Sequence, residues 1–293
     1  MVHLSLTRPR LGNFAALAAL AALTLVVGCQ SDAPAPLAPD QSASSARAGY
    51  DQAGMHRQYG PPVRIANGMA RAYVVLDARN DQAPAELGIA LDEKALDGLP
   101  TAEMEYQFDF QLPAQAPAPY KFAELNWNPH GHEPPGVYDV PHFDFHFYTV
   151  SKAERDAIVP SDPNYAAEAN NLPTGAYVPP FYIVPGLPST QAVPQMGVHW
   201  LDVRSPELQA LLGNPAGYQP FTKTFIYGSW NGQFTFVEPM VTLAYLRTQP
   251  DVTSPISVPA QYAEPGWYPT SYRVTYDAQA KEYRVALSSM TQH

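Results

Sequence analysis

Residues 141–148 read Pro-His-Phe-Asp-Phe-His-Phe-Tyr. Side chains on a β-strand alternate faces with a period of two, so Phe143, Phe145 and Phe147 share one side while His142, Asp144, His146 and Tyr148 share the other. One face is apolar. The other carries three potential metal ligands in a row, without Lys or Arg, where a half-buried strand ordinarily offers Lys, Thr or Glu to water. The chain holds 8 His, and two of them within five positions argue against an incidental solvated face. The chemistry such a face suits is metal coordination or proton handling, with Asp144 orienting an imidazole or serving as a catalytic base.

Strand geometry limits how these residues combine. At about 3.3 Å per residue, the Cα atoms of His142 and His146 are roughly 13 Å apart. A His Cα lies roughly 6 Å from a metal bound at about 2.1 Å, so the pair shares one ion only at the limit of reach. Two arrangements follow. Either a bend or bulge shortens the span and His142, His146, His199 and Glu238 converge on one ion, or His146 stays with His199 while His142 joins His132 in a neighbouring shell. His199 lies in Met196-Gly197-Val198-His199-Trp200-Leu201-Asp202, and Glu238 continues the row Phe234, Phe236 of a strand that follows the Asn231-Gly232 turn signal. His132 lies in the loop Asn128-Pro129-His130-Gly131-His132-Glu133-Pro134-Pro135-Gly136, which is expected to fold back over the polar face.

The elements that must position these residues are strands. Residues 63–78, 104–112, 122–127, 142–150, 177–184, 225–227, 233–238, 241–247, 272–276 and 282–288 are rich in β-branched or aromatic residues and bounded by Pro, Gly, Asn and Asp. Helical signals are brief: Ser151 with Glu154 forms a capping-box pattern, and residues 205–212 suit a short helix. With 32 Pro in the chain, the expected fold is mainly β, an antiparallel barrel or sandwich with long Pro-rich loops and a few short helices. Its predicted domains are a signal peptide over 1–28, a tether over 29–60 rich in Ala, Pro and Ser, and one β-rich domain over 61–293.

In the leader, Arg8 and Arg10 precede an apolar run over residues 14–27, and Val26-Val27-Gly28 before Cys29 resembles the lipobox of bacterial lipoproteins. Cys29 is expected to be lipidated and to anchor the chain to a membrane. The absence of Asp after it favours, by the Gram-negative sorting rule, the periplasmic face of the outer membrane in the cell envelope. The 1 Cys of the chain excludes Cys-type zinc sites, cysteine nucleophiles and disulfides from the domain. Loss of Arg8 and Arg10 with the leader leaves 15 basic against 27 acidic residues, a charge near −12 that argues against nucleic acid as a partner. No Ser-His-Asp order, phosphate loop or dinucleotide fingerprint is present.

The series NWNPHGHEPPGVYDVPHFDFHFY, QMGVHWLDV and TFIYGSWNGQFTFVEPMVT resembles the Thermus TTHB-type family of uncharacterised bacterial extracytoplasmic proteins, a domain of unknown function. The resemblance runs from about Tyr73 to Leu287 and is carried by His132, His142, Asp144, His146, His199, Trp200, Asp202, Gly228, Gly232, Glu238, Pro239 and Met240. It brings no established activity. It implies an exported β-rich domain able to assemble into homo-oligomers.

Three functions fit the residues. The first is a divalent metal site, for Zn, Mn, Fe, Cu or Ni, drawn from His132, His142, His146, His199 and Glu238. The second is a small-molecule or sugar binding module whose aromatic pocket uses Trp127, Tyr148, Trp200 and Trp230. The third is a non-catalytic structural or stress protein of the envelope with a buried polar network. The anchor has its own check: the mature protein should carry a lipid-modified Cys29 at its N-terminus, and a mass spectrum showing an unmodified cysteine or a retained leader would contradict it.

Overall fold

In the computed structural model, residues 55–77 and 79–293 are described; the leader, Cys29 and most of the expected tether lie outside them. The first strand, β1 (Met55–Tyr59), begins before the boundary at residue 61 that composition suggests, and it pairs with β3. The other strands are β2 (Val63–Ile65), β3 (Gly68–Asp77), β4 (Asn80–Asp92), β5 (Tyr106–Phe110), β6 (Phe122–Asn128), β7 (His142–Tyr148), β8 (Tyr182–Ile183), β9 (Val198–Asp202), β10 (Lys223–Trp230), β11 (Gln233–Thr242), β12 (Asp251–Pro255), β13 (Trp267–Asp277) and β14 (Glu282–Gln292). The helices are short, as in Lys152–Asp156 and Tyr165–Asn170.

Among the described residues the strands form two seven-stranded antiparallel sheets. One runs β1-β3-β4-β14-β13-β12, with β2 paired to β3; the other runs β5-β6-β7-β11-β10-β9-β8. Both orders are open paths, so the barrel half of the expectation is corrected: the end strands of each sheet do not pair with each other, and the protein closes its core by stacking sheet on sheet. The shared core draws Val74, Leu87 and Val285 from the first sheet and Phe143, Phe145 and Phe147 from the second. Phe225 and Tyr272 touch across it at 5.5 Å between ring centroids.

Strand β7 lies in the middle of the second sheet, between β6 and β11, with its Phe face in the core as its alternation predicts. Its polar face is buried as well. All seven residues of β7, and all seven of β6, are buried, because two apolar groups cover the outer side of this sheet. Val137, Tyr138, Leu201, Leu208, Phe221, Ile226 and Met240 form one, and Phe122, Tyr148, Met196 and Phe236 the other.

Local sequence explains the main connections. Asn231 and Gly232 both have positive φ, at 46° and 86°, as a two-residue hairpin requires, and they join β10 to β11. Strand β11 continues through Pro239, where sequence reading ends it. Its pairing with β7 joins Phe236 to Tyr148 and Val237 to Phe147, skips Glu238 and Pro239, and resumes with Met240 opposite Asp144. Proline has no N–H to give to the ladder, so the skip falls beside Glu238. The capping box at Ser151 and Glu154 forms as predicted and starts the turn Lys152–Asp156. Of the expected strand over residues 177–184 only the two-residue β8 is strand; Tyr177 ends the 3-10 turn Gly175–Tyr177 and the remainder is turn and irregular chain.

Because Phe145 is wholly enclosed between the sheets, Phe145→Ala should destabilise by about 3–5 kcal/mol. Chemical denaturation measures this; a loss under about 1 kcal/mol would mean that the Phe face is not core.

Candidate metal centre

The row on β7 is extended by its neighbours. Strand β6 sets Asn128 opposite His142, Asn126 opposite Asp144 and Glu124 opposite His146. Strand β11 adds Glu238 to the same face, and β9 brings His199 opposite Gly228 of β10. Gly228 cannot be larger: a Cβ there would meet the Phe236 ring at 2.0 Å. Phe236 in turn packs at 4.9 Å from His146 and 5.4 Å from His199.

The ligands divide into two groups, His132, His142 and Asp144 in one and His146, His199 and Glu238 in the other. Within each group the nearest nitrogen and oxygen atoms lie within 4.8 Å of one another, close to the spacing of about 3–4.4 Å between ligands of one ion. A straight β7 therefore gives the second of the two arrangements allowed by strand geometry. His146 stays with His199, while His142 joins His132.

In the first group, His142 Nε2 is 3.1 Å from Asp144 Oδ1 and His132 Nε2 is 3.5 Å from Asp144 Oδ2. The other ring nitrogens are committed to carbonyls: His142 Nδ1 donates to Val140 O at 2.7 Å and His132 Nδ1 to Glu133 O at 2.8 Å. A carbonyl only accepts, so Nδ1 carries the proton in both rings. In the neutral imidazoles Nε2 is then a bare lone pair aimed at a carboxylate, an arrangement that requires a cation, either a proton or a metal, between the two. Asn128 Nδ2 donates to Asp144 Oδ2 at 2.6 Å and fixes the carboxylate. The loop that carries His132 folds back as expected. Gly131 has φ +72°, and a Cβ there would meet Tyr138 O at 2.0 Å, so glycine permits the approach that sets the His132 ring 4.7 Å from that of His142. His130 bonds Thr101 O, outside the group.

In the second group, His146 Nε2 and His199 Nε2 lie 3.3 and 3.7 Å from Glu238 Oε2. Burial pulls the His146 imidazolium down, but the Glu238 carboxylate outweighs it and raises the group to about 9. His132 behaves alike: burial lowers it, Asp144 raises it, and it ends at about 9. Asp144 is pushed up by burial and pulled further down by His142 and His132, to below the usual carboxylate range. Burial dominates at His199 and takes it to about 4, which keeps that imidazole neutral and able to coordinate at neutral pH. Glu124, buried beside His146, is raised by desolvation to about 7 against the pull of His146 and Arg155.

Among the described residues, several buried atoms here have no hydrogen-bond partner beyond the imidazole–carboxylate contacts just given: His142 Nε2, Asp144 Oδ1, His146 Nδ1 and Nε2, Glu238 Oε2, Glu124 Oε1 and both amide atoms of Asn126. Buried polar atoms are ordinarily paired, and leaving one unpaired costs about 1–3 kcal/mol. Five of these atoms belong to the ligand residues, and all of them but His146 Nδ1 face a fellow ligand. Two imidazoles and one carboxylate, without sulfur, suit Zn, Mn, Fe, Cu or Ni, and three protein ligands leave coordination positions for water or substrate.

The aromatic residues expected to line a ligand pocket are dispersed. Tyr148 stacks on Phe122 at 4.6 Å. Trp127 and Trp200 point into the core between the sheets, and Trp200 Nε1 donates to Ser229 Oγ at 2.8 Å. Trp230 Nε1 donates to Glu168 at 2.9 Å. A cavity of about 300 Å3 is walled by Tyr120, Tyr177, Tyr227, Phe234, Tyr262 and Tyr268, together with Phe236, which also packs on His146 and His199. Sequence reading missed Glu124, Asn126 and Asn128, although their i, i+2 spacing in Glu-Leu-Asn-Trp-Asn is the same alternation that marks β7.

Residues 81–127 match the family model TTHB210-like, described as Hypothetical protein TTHB210, in agreement with the resemblance to a Thermus TTHB-type family. The matched stretch takes in nearly all of β4, all of β5, and β6 as far as Trp127. It contains Glu124 and Asn126 and stops short of the histidines. No curated protein and no solved structure matches the chain.

Proposed function

We propose that this domain binds divalent transition-metal ions at two separate sites on the buried outer face of its second sheet, and that Cys29 tethers it by lipid to the cell envelope. The observation that carries the reading is the set of buried ring nitrogens and carboxylate oxygens that have only one another as partners: His142 Nε2 and Asp144 Oδ1 in one group, His146 Nε2 and Glu238 Oε2 in the other, all turned toward their fellow ligands. His132, His142 and Asp144 would hold one ion; His146, His199 and Glu238 would hold the other. A bound ion with an open position supplies Lewis acidity toward water or a substrate oxygen, or a redox centre if the metal is Fe or Cu.

The chain's own residues prepare the sites. The Val140 and Glu133 carbonyls hold the His142 and His132 rings with Nε2 inward, and Asn128 holds Asp144. Asp144 then acts as a ligand and charge partner rather than a free base. At the second group His199, the least buried ligand with 22 % of its side chain exposed, marks the side from which solvent reaches the site. Phe236 and Tyr148 keep the rest of that group dry. A binding-module function draws its support from the tyrosine-walled cavity instead, and would use a ligand site apart from the histidines.

Elemental analysis and zinc titration of the tag-free protein test this reading. The expected result is two equivalents per chain, one lost in His142→Ala and the other in His146→Ala, with the fold retained. Free metal at 100 times Kd should add about 2.7 kcal/mol per site, roughly 5–10 °C in Tm. No bound metal and no thermal shift would overturn the reading.

The pH dependence has a defined sign. In the metal-free protein, the pairs that raise His132 and His146 to about 9 contribute stability that is complete below their unfolded value near 6.5 and lost as pH rises through about 9. A metal must displace those protons, so the metal-induced gain in Tm should grow from pH 6 to pH 9. A gain that shrinks over that interval would contradict coordination through these imidazoles.

A further inference from the structure

The histidines differ in what holds their second nitrogen. His132 and His142 give Nδ1–H to backbone carbonyls, whereas His146 Nδ1 has no partner in the structure. On the neighbouring strand, directly opposite His146, lies Glu124. Same-face residues paired in this way have Cβ atoms about 4.5–5.5 Å apart. His146 Nε2 is turned toward Glu238 on β11, so Nδ1 is the ring nitrogen left for another partner.

Glu124 is held for such a task. Its Oε2 accepts from Arg155 Nη1 and from Gln107 Nε2 at 2.6 Å, while its Oε1 has no partner. Arg155 is itself fixed. It is buried on the capped turn Lys152–Asp156, bonds Asp109 through Nη2 at 2.9 Å, and lies 5.3 Å from the Phe122 ring centroid and 5.7 Å from that of Tyr148. A buried carboxylate with one oxygen saturated and the other open therefore stands across the strand pair from a buried imidazole with an open donor position.

We infer that Glu124, clamped by Arg155, is the positioning residue of the second site: its Oε1 accepts the Nδ1–H of His146 through one bridging water and fixes Nε2 as the metal-binding nitrogen. The inference rests on the metal reading of His146, His199 and Glu238. Carboxylate–histidine–metal relays of this kind orient the ring and raise its basicity as a ligand. The two sites then differ in kind, since the imidazoles of one are oriented by backbone carbonyls and the site with His146 is oriented by a carboxyl group locked to a buried guanidinium.

The test is Glu124→Gln in the full chain, which keeps the shape and removes the anionic acceptor. Zinc competition titration should show one of the two sites weakened by about 10- to 100-fold with the other unchanged. With Cu2+ loaded, the EPR spectrum of that same site should shift. Asp109→Asn, which touches Arg155 but not the ring, should leave the spectrum as it is. Should Glu124→Gln fail to fold, the zinc-loaded wild type decides: a long-range 1H–15N correlation must show His146 protonated at Nδ1 and metal-bound at Nε2. A folded Glu124→Gln with unchanged affinities and spectrum, or the opposite His146 tautomer, overturns the role of Glu124 and leaves the metal reading standing. A wild type that binds no zinc removes both.

Discussion

The controlling constraint is that β7 is buried on both faces. A strand of that kind usually carries apolar residues throughout, because a buried polar atom that loses water without gaining a partner costs free energy. Here one face is phenylalanine and the other is His142, Asp144 and His146. The polar face is tolerable only if its atoms are satisfied from within. The surrounding sheet provides much of that, through Asn128 on Asp144, the Val140 carbonyl on His142, and the apolar lids that keep competing water away. What remains are ring nitrogens set against carboxylate oxygens, and a cation, either a proton or a metal ion, satisfies both at once.

Burial also sorts the charges. Carboxylates hold His132 and His146 in their cationic forms in the absence of a competing cation, while desolvation keeps His199 neutral. The same two carboxylates, Asp144 and Glu238, would neutralise part of a bound ion's charge, so proton and metal compete for one electrostatic niche. The interrupted ladder at Glu238 and Pro239 lies beside that niche. Proline in an interior strand costs a ladder bond, and here the break falls where the Glu238 side chain must reach His146 and His199.

A good part of this was legible in the residues. The alternation of PHFDFHFY gave the two faces of β7, and the comparison of a 13 Å span with a 6 Å reach, both approximate, already separated His142 from His146. Asn231-Gly232 specified its hairpin, and Ser151 with Glu154 its cap. Other elements were hidden for physical reasons. Strand β4 contains Pro84, which reads as a strand breaker, yet Pro84 sits at an irregularity in the register with β3 where a lost N–H is tolerated. Strands β9 and β12 are short, and tertiary pairing rather than local propensity makes them strands. The burial of the polar face could not be read from β7 itself, because much of its cover comes from Met196, Leu208 and Phe221 in distant segments. Which nitrogen of His132 and His142 points inward depends on the Glu133 and Val140 carbonyls, whose placement the folded loop sets.

The central claim, that two groups of buried ligands each hold an ion, is tested most directly by anomalous diffraction from crystals of the tag-free protein equilibrated with Zn2+ and measured on either side of the zinc edge. The account predicts two anomalous peaks, one about 2.0–2.2 Å from His132 Nε2, His142 Nε2 and an Asp144 oxygen, the other at the same distance from His146 Nε2, His199 Nε2 and a Glu238 oxygen. Peaks confined to surface residues, or full occupancy of the crystal's zinc elsewhere with both groups free of anomalous density, would contradict it.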